Sequence, residues 1–195
     1  MENLLKNKSD EELLKAVASK DESAFEILVE KYKYSVLNII YRYTTNRTEA
    51  EDISQDIFVK IWHSADSFKY KSKVSTWIYR VVVNYCLNFK DKNKINNTIQ
   101  SLDELSEKGE IITDSSKEYK SYENNETDRI VRDSVNKLPE RYKIVLILSR
   151  FDNKSYQEIS EIMNLSIPAV ESLIFRAKAN LKKVLLPYFN KRTDI

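Results

Sequence analysis

One face of a helix near the end of the chain carries side chains that could read DNA. Between residues 168 and 184, apolar residues recur at helical spacing and form one buried stripe: Val170, Leu173, Ile174, Ala177, Leu181 and Val184. At about 100° per residue, the opposite face carries small, hydroxyl, aromatic and basic side chains: Pro168, Ser172, Phe175, Arg176, Ala179 and Lys183. Such side chains suit entry into the major groove. Phe175 is the most informative of them, because an isolated amphipathic helix gains nothing by exposing it.

A shorter helix precedes this one, and a tight turn joins the two. Ser155 is a suitable N-cap, and Glu158, three residues later, completes a capping box. Asn164 lies at the turn, where Asn tolerates the left-handed conformation. Ser166 can cap the second helix, and Pro168 falls in its first turn, where a missing N–H costs little. This pattern predicts a DNA-binding helix-turn-helix; the alternative is an ordinary helical hairpin with a solvated basic face.

The composition leaves little room for a catalytic site. The single glycine, Gly109, excludes glycine-rich phosphate loops and dinucleotide fingerprints. One His and one Cys allow neither a zinc site nor a His-based catalytic triad. Carboxylates such as Asp52 and Asp56 are paired at helical spacing, which suits protein docking better than acid–base catalysis. We therefore expect no enzymatic activity, no metal and no cofactor.

Length and residue usage predict an all-α fold. The 195 residues are 42% apolar, enough for one large domain or two small ones, and one Gly with three Pro indicates mostly helices. Cys86 can form no internal disulfide, which fits a reducing compartment, and its apolar neighbours predict a core position. No signal peptide precedes the first helix, and no apolar run approaches the roughly 18 residues of a membrane span. We expect a cytoplasmic protein.

Charge alternates in sign along the chain. The net charge is −4 over residues 1–59, +5 over 60–90, −5 over 91–128 and +6 over 129–195. Two basic segments separated by an acidic one predict two nucleic-acid contacts, joined by a segment that avoids DNA.

The N-terminal half has the pattern of a helical bundle. Residues 9–19 and 21–43 read as two helices, the first with a capping box between Ser9 and Glu12. Thr48 is the expected cap of a third helix. In that helix Phe58, Val59 and Trp62 extend the apolar surface past the core stripe, beside acidic and amide side chains. From this helix alone, packing within its own domain and docking to a partner are equal alternatives.

A lysine-rich loop with two aromatic residues follows over 64–75. The next helix, 76–90, is apolar over most of its circumference and should form the centre of a domain. Residues 91–128 read as a polar linker, with a transient turn around 102–105. The helical pattern resumes near Arg129, and Pro139 opens a helix that should run to about residue 151.

Three stretches, in this order, resemble extracytoplasmic-function (ECF) sigma factors of bacterial RNA polymerase. They are EAEDISQDIFVKIW at 49–62, STWIYRVVVN at 75–84, and LPERY at 138–142 continuing through SYQEI at 155–159 to RAK at 176–178. The resemblance covers about residues 20–92 and 129–186. It implies a sigma region 2 bundle over 1–92, an acidic linker over 93–128, and a C-terminal four-helix domain with the helix-turn-helix, sigma region 4, over 129–195.

The resemblance also implies roles for particular residues. The resemblance assigns docking on the clamp coiled coil of the polymerase β′ subunit to Asp52, Gln55, Asp56, Phe58 and Trp62. It assigns recognition and melting of the −10 promoter element to Phe68, Lys69, Tyr70, Lys71, Lys73, Ser75, Thr76, Trp77, Arg80 and Asn84. For Trp77 the general burial of large aromatics favours core packing.

The resemblance further implies that the C-terminal domain rests on the β-subunit flap and reads the −35 element. The residues that would read it are Ser155, Tyr156, Ser166, Pro168, Ala169, Glu171, Ser172, Phe175, Arg176, Lys178 and Lys183. Many family members have basic residues where this chain has Glu171 and Leu173, so the usual −35 sequence is not implied. The family usually has an anti-sigma partner and no membrane-inserted segment. Two other classes stay open: a stand-alone helix-turn-helix regulator, and a helical adaptor that binds proteins only.

Overall fold

The fold consists of α-helices throughout the described part of the chain. The structure is a computed structural model and describes residues 8–96 and 126–190. Within those residues there is no strand, and the helices are α1 (Asp10–Ala18), α2 (Glu22–Thr44), α3 (Arg47–Ser64), α4 (Val74–Asn96), α5 (Glu126–Asn136), α6 (Glu140–Leu146), α7 (Tyr156–Met163) and α8 (Ile167–Asn190). The predicted all-α class is confirmed. The expected turn at 102–105 and most of the expected linker lie outside the described residues.

Local capping sets the first two helices as expected. The Ser9 side chain accepts a hydrogen bond from the Glu12 N–H at 3.2 Å, and Glu12 Oε2 accepts one from the Ser9 N–H at 2.8 Å, so the predicted capping box is present. Asp21 caps α2. Leucine and isoleucine side chains along α1, α2 and α3 then meet in one core, and the Tyr32 hydroxyl fastens α2 to α1 by donating to Asp10 Oδ2 at 2.6 Å.

The start of α3 differs from the prediction. The N-cap is Asn46, whose side chain accepts from the Glu49 N–H at 3.2 Å, and not Thr48. The reason is the way α2 ends: Thr45 adopts a left-handed conformation, with φ of 62°, which turns the chain at once. Asn46 is then the extended residue before the new helix, and Asn is among the best N-caps.

Helix α4 is the centre of the fold. It begins at Val74, two residues before the predicted start, and Ile78, Val82, Val83 and Cys86 are fully buried in it. These side chains pack against α2 and α3 on one side and against α6 and α7 on the other. The N-terminal and C-terminal halves of the chain therefore share one continuous core.

The C-terminal half contains the predicted helix-turn-helix. Ser155 and Glu158 form the expected capping box before α7, and Asn164 ends α7 in the left-handed conformation with φ of 53°. The Ser166 Oγ accepts from the Ala169 N–H at 3.4 Å at the start of α8. The helix expected over 140–151 is interrupted, because α6 ends at Leu146 and a π-helical turn, Ile147–Phe151, follows it.

The capping box of α7 gives a prediction about stability. Replacing Ser155 with Ala removes the acceptor for the Glu158 N–H, and we expect a loss of about 1 kcal/mol in the free energy of unfolding. The Ser155 N–H and hydroxyl also hold the pKa of Glu158 below its usual range. The stabilisation from Glu158 is therefore present above its unfolded pKa and lost as the pH falls. Thermal unfolding at neutral and acidic pH measures both effects, with Ser19→Ala as control. Equal melting of Ser155→Ala and wild-type protein at neutral pH would contradict the prediction.

Candidate nucleic-acid and polymerase interface

The outer face of α8 is exposed as the periodicity predicted. The Phe175 ring is 75% exposed, more than any other large apolar side chain in the described residues. Ser172, Arg176, Lys178 and Lys183 are also exposed. The opposite stripe, by contrast, is fully buried at Val170, Ile174 and Ala177. Packing of this stripe fixes the rotation of α8, so an aromatic ring and several cations project from the fold where a groove could receive them.

The other −35 candidates surround the N-termini of α7 and α8. Exposed positions there are Ser155, Tyr156, Ser166, Pro168 and Glu171, while Ala169 is half-buried. The Ser155 hydroxyl donates to Glu158 Oε2 at 2.8 Å, so it is already hydrogen-bonded within the capping box of α7. Leu173 is half-buried and packed on the core, as its spacing predicted.

The loop before α4 presents a cluster of cations around one aromatic ring. Lys69, Lys71 and Lys73 are exposed, and the Tyr70 side chain between them is 54% exposed. Tyr70 has a positive φ of 54°, a conformation that costs a non-glycine residue roughly 1–2 kcal/mol. Its ring lies 4.8 Å from the buried ring of Phe68, and this contact helps to hold the strained residue in place.

Two of the ten −10 candidates are buried: Phe68 is 6% exposed and Thr76 is 5% exposed. Their role at the −10 element stays a prediction. Phe68 packs 5.7 Å from Trp77 and anchors the loop to the core. Thr76 lies in the first turn of α4, which begins at Val74, and its side chain is buried there. Trp77 is half-buried and packed on the core, in line with the expectation from its size.

The remaining candidates lie along the start of α4. Ser75 is half-buried, and Asn84 is exposed one turn beyond Arg80. The Arg80 guanidinium is already engaged, because its Nη2 donates to the main-chain carbonyl of Glu161 in α7 at 2.6 Å. No spacing pattern in the sequence indicated this contact, which joins residues 81 positions apart.

Helix α3 carries an acidic face with an apolar edge. Asp52, Gln55 and Asp56 are exposed, and Asp56 Oδ2 accepts a hydrogen bond from the Tyr85 hydroxyl at 2.6 Å. Burial and then this carboxylate raise the pKa of Tyr85 to about 12. Phe58 is 8% exposed and belongs to the core, and its role in docking stays a prediction. The next residue, Val59, is 56% exposed and extends the apolar edge in its place.

Trp62 lies at the end of this face and is held by residues that the sequence did not single out. Its ring is half-buried, 5.0 Å from the Phe25 ring. The Lys20 ammonium lies 5.1 Å from the indole centroid and donates to the Trp62 carbonyl oxygen at 3.2 Å. A cation–π pair between such distant residues leaves no periodic signal, so only the fold reveals it.

Clusters of metal-ligating side chains and membrane-spanning helices are both absent from the described ranges. Residues 8–96 and 126–190 contain no group of three or more His, Cys, Asp or Glu side chains placed to hold a metal ion. No helix in that part of the chain is long and apolar enough to cross a membrane.

Comparison with known proteins identifies the family. The Sigma-70 region 2 model matches residues 28–95, and the Sigma-70 region 4 model matches residues 128–181. The ECF RNA polymerase sigma-E factor of Haemophilus influenzae is 31% identical over 92% of this chain and 96% of its own length. The ECF RNA polymerase sigma factor SigW of Bacillus subtilis is 30% identical over 88% of this chain and 94% of its own length. The chain belongs to the ECF sigma factors.

Solved structures show the same fold for this sigma factor. CnrH, determined in complex with the cytosolic domain of CnrY, has a TM-score of 0.64 at 22% identity and covers 91% of this chain and 97% of its own. The RpoE sigma factor of Bartonella quintana was determined with the anti-sigma factor NepR. It has a TM-score of 0.59 at 20% identity and covers 83% of this chain and 96% of its own. As an ECF sigma factor, the protein directs RNA polymerase to specific promoters and initiates transcription.

Proposed function

We propose that this sigma factor divides its work among three surfaces. The exposed face of α3 binds the clamp coiled coil of β′, the loop before α4 with the start of α4 melts the −10 element, and the outer face of α8 reads the −35 element. The boundaries that go with this division are 1–92, 93–128 and 129–195. The observation that carries the proposal is the outward projection of Phe175 and Arg176 from a helix whose opposite stripe is buried.

The polymerase surface combines a charged face with an apolar end. Asp52, Gln55 and Asp56 supply acceptors on the solvent side of α3, while Val59 and Trp62 supply apolar area. Interfaces of this kind obtain most of their binding energy from a buried aromatic anchor surrounded by polar contacts. Trp62 fills that role here, because Phe25 and Lys20 hold its ring in one orientation.

The −10 surface combines cations with an exposed ring. Lys69, Lys71 and Lys73 would neutralise phosphates of the promoter DNA, which would make DNA binding sensitive to salt. Opening a duplex costs stacking energy, which an aromatic ring recovers when an unpaired base stacks on it. Tyr70 is the available ring, since Phe68 is buried beneath it. We therefore assign melting to Tyr70 and phosphate positioning to the lysines.

Removal of the Tyr70 ring should weaken promoter opening. Stacking on one base is worth about 1–3 kcal/mol, so Tyr70→Ala should lower the fraction of open complex by about fivefold or more. Permanganate reactivity of unpaired thymines in the −10 element measures this, and Tyr70→Phe should retain the signal. Tyr34→Ala is a matched control, because Tyr34 is 53% exposed on α2. A Tyr70→Ala protein that opens promoters as well as the wild type would contradict the assignment.

The −35 surface reads the major groove from α8. Ser172, Phe175 and Arg176 can contact base edges and thymine methyl groups, while Lys178 and Lys183 can contact phosphates. Glu171 is exposed beside them and can accept a hydrogen bond from a cytosine amino group. These contacts suit a −35 sequence that differs from the family's usual one.

The proposal also includes partners and compartment. We place the protein in the cytoplasm, without enzymatic activity and without a cofactor, because its surfaces bind macromolecules and its composition leaves no catalytic set. The β flap is the expected support of the C-terminal domain. Since RpoE of Bartonella quintana was determined with the anti-sigma factor NepR, an anti-sigma factor is a further expected partner.

Run-off transcription with bacterial core polymerase tests the proposal. Addition of the purified chain should produce transcripts of defined length from its promoter, and core polymerase alone should not. Gel filtration should show the chain co-eluting with core polymerase. A chain that bound duplex DNA tightly and specifically in the absence of polymerase would instead fit a stand-alone regulator, and failure to form a core complex would overturn the proposal.

A further inference from the structure

Asp56, one of the acidic residues on the exposed face of α3, is held by a residue from another helix. The Tyr85 hydroxyl on α4 donates to Asp56 Oδ2 at 2.6 Å, across 29 positions of sequence. A bond of this length to a carboxylate is a charge-assisted hydrogen bond, which is directional as well as strong. The Asp56 side chain is therefore restricted to one orientation on the surface where we place the polymerase contact.

Tyr85 is itself fixed in place. Its ring is half-buried, packs on the core, and stacks on the Phe89 ring at 6.0 Å between centroids, with 22° between the ring planes. Burial and the Asp56 carboxylate raise the pKa of Tyr85 to about 12, so the hydroxyl keeps its proton at neutral pH. Tyr85 thus offers a donor at a constant position, and this donor holds the Asp56 carboxylate.

The bond from Tyr85 leaves Asp56 able to bind a second donor. A carboxylate has two oxygens with about four lone-pair sites in all, and the Tyr85 hydroxyl uses one of them. Asp56 is exposed, next to Gln55 and one turn from Asp52. The other oxygen can therefore accept a hydrogen bond from a donor on a partner while Tyr85 keeps the side chain in place.

A second tyrosine–aspartate bond in the fold has a purely structural arrangement. The Tyr32 hydroxyl donates to Asp10 Oδ2, also at 2.6 Å, and fastens α2 to α1. Tyr32 is buried, and the Lys31 ammonium pairs with Oδ1 of the half-buried Asp10. Both oxygens of Asp10 are thus engaged within the fold. Asp56, by contrast, is exposed and has one oxygen that the bond from Tyr85 does not use.

The bond from Tyr85 acts mainly on the orientation of Asp56. Water competes for an exposed carboxylate, so a hydrogen bond there contributes only modestly to the stability of the fold. An exposed aspartate would otherwise sample several rotamers, and a partner that binds it would have to order it at a cost in entropy. A side chain that is already ordered in the free protein avoids this cost, which corresponds to about threefold to tenfold in affinity.

We infer that Tyr85 is a positioning residue for polymerase docking. It acts through Asp56, whose second oxygen it keeps available to a cationic donor on the partner. The inference rests on the proposed docking face of α3, and it adds a residue from α4, outside the helix that supplies the face. No periodic signal in the sequence indicated this role, because the two residues belong to different helices and only the fold brings them together.

Removal of the Tyr85 hydroxyl alone should weaken docking. Tyr85→Phe keeps the ring on Phe89 and removes only the donor, and we expect its dissociation constant for core polymerase to rise about threefold to tenfold. Tyr32→Phe is the matched control, because it removes a bond of the same length and kind between α1 and α2. The control should bind core polymerase as the wild type does, even if both variants melt at a lower temperature. Wild-type affinity in Tyr85→Phe, or an equal loss of affinity in both variants, would overturn the inference.

A double-mutant cycle tests whether Tyr85 acts through Asp56. In an Asp56→Ala background, Tyr85→Phe should have no further effect on affinity, because the carboxylate that it positions is gone. A merely structural role would instead give additive losses, and additive losses would overturn the inference. Tyr85→para-aminophenylalanine restores an N–H donor at the same ring position and should bind core polymerase more tightly than Tyr85→Phe. Equal binding by these two variants would also overturn the inference.

The outcomes separate this inference from the proposed function. If Asp56→Ala weakens docking while Tyr85→Phe does not, the inference fails and the docking face on α3 stands. If Asp56→Ala and Trp62→Ala both bind core polymerase as the wild type does, the docking face itself fails, and the role of Tyr85 fails with it. The thermal unfolding midpoint of each variant, measured on the same preparations, ensures that every affinity refers to folded protein.

Discussion

Replacing Trp62 with Ala should lower the affinity for core polymerase by about 30-fold or more, the loss typical of a central aromatic anchor. The indole is half-buried against Phe25 and has Lys20 above it, so its exposed part is presented rigidly at the end of the acidic face. Equilibrium binding of labelled chain to core polymerase measures the loss. Binding of the same variant to duplex DNA at low salt should be unchanged.

The controls for Trp62 separate docking from folding. Trp62→Phe keeps an aromatic ring on Phe25 and should retain most of the affinity. Since Trp62 also contributes to packing, the unfolding midpoint of each variant must be measured beside its affinity. Equal losses in the polymerase and DNA assays would mean that Trp62→Ala unfolds the chain, and unchanged affinity for polymerase would remove Trp62 from the interface.

Reversing two charges on α8 should affect initiation most at promoters that depend on their −35 element. Arg176→Glu with Lys183→Glu replaces two attractive contacts with repulsive ones. With each contact worth about 1–3 kcal/mol, initiation should fall about 100-fold. The dependence of holoenzyme–promoter affinity on salt should also become shallower, by about one unit of logarithmic slope for each lost phosphate contact. Filter binding over a range of salt concentrations measures both effects.

A matched control tests whether the effect depends on where the charges are reversed and not only on the change in net charge. Lys8→Glu with Lys15→Glu changes the net charge by the same amount on exposed residues in and just before α1. This control should leave initiation within about twofold of the wild type, because screening limits exposed charges to about 10 Å at ordinary salt. Unchanged initiation in the α8 variant would contradict the −35 assignment and favour an adaptor that binds proteins only.

Local signals in the sequence were sufficient for the helix-turn-helix. Ser155 with Glu158, the left-handed Asn164 and the apolar stripe of α8 each depend on residues within a few positions of one another. Such features are decided by backbone geometry, so they survive into the fold unchanged. The exposure of Phe175 follows from the same stripe, because burying one face of a helix exposes the other.

Features that depend on contacts between distant elements could not be predicted. Phe58, Phe68 and Thr76 belong to segments with more apolar surface than one core stripe needs, and only the packed bundle decides which of these side chains are buried. Lys143 is buried under a ring from another helix, although a lysine in isolation would be placed outside. The hydrogen bond from Arg80 to the Glu161 carbonyl joins the two halves of the chain and has no counterpart in local sequence.

Footprinting of one promoter with the chain alone, with core polymerase alone and with both tests the central claim most directly. We expect simultaneous protection of the −10 and −35 elements, with unpaired bases in the −10 element, only when both proteins are present. Polymerase would make this joint protection possible by fixing the spacing between the two DNA-binding surfaces. Equal protection of both elements by the chain alone, or protection that is unchanged when the chain is added to core polymerase, would contradict the account.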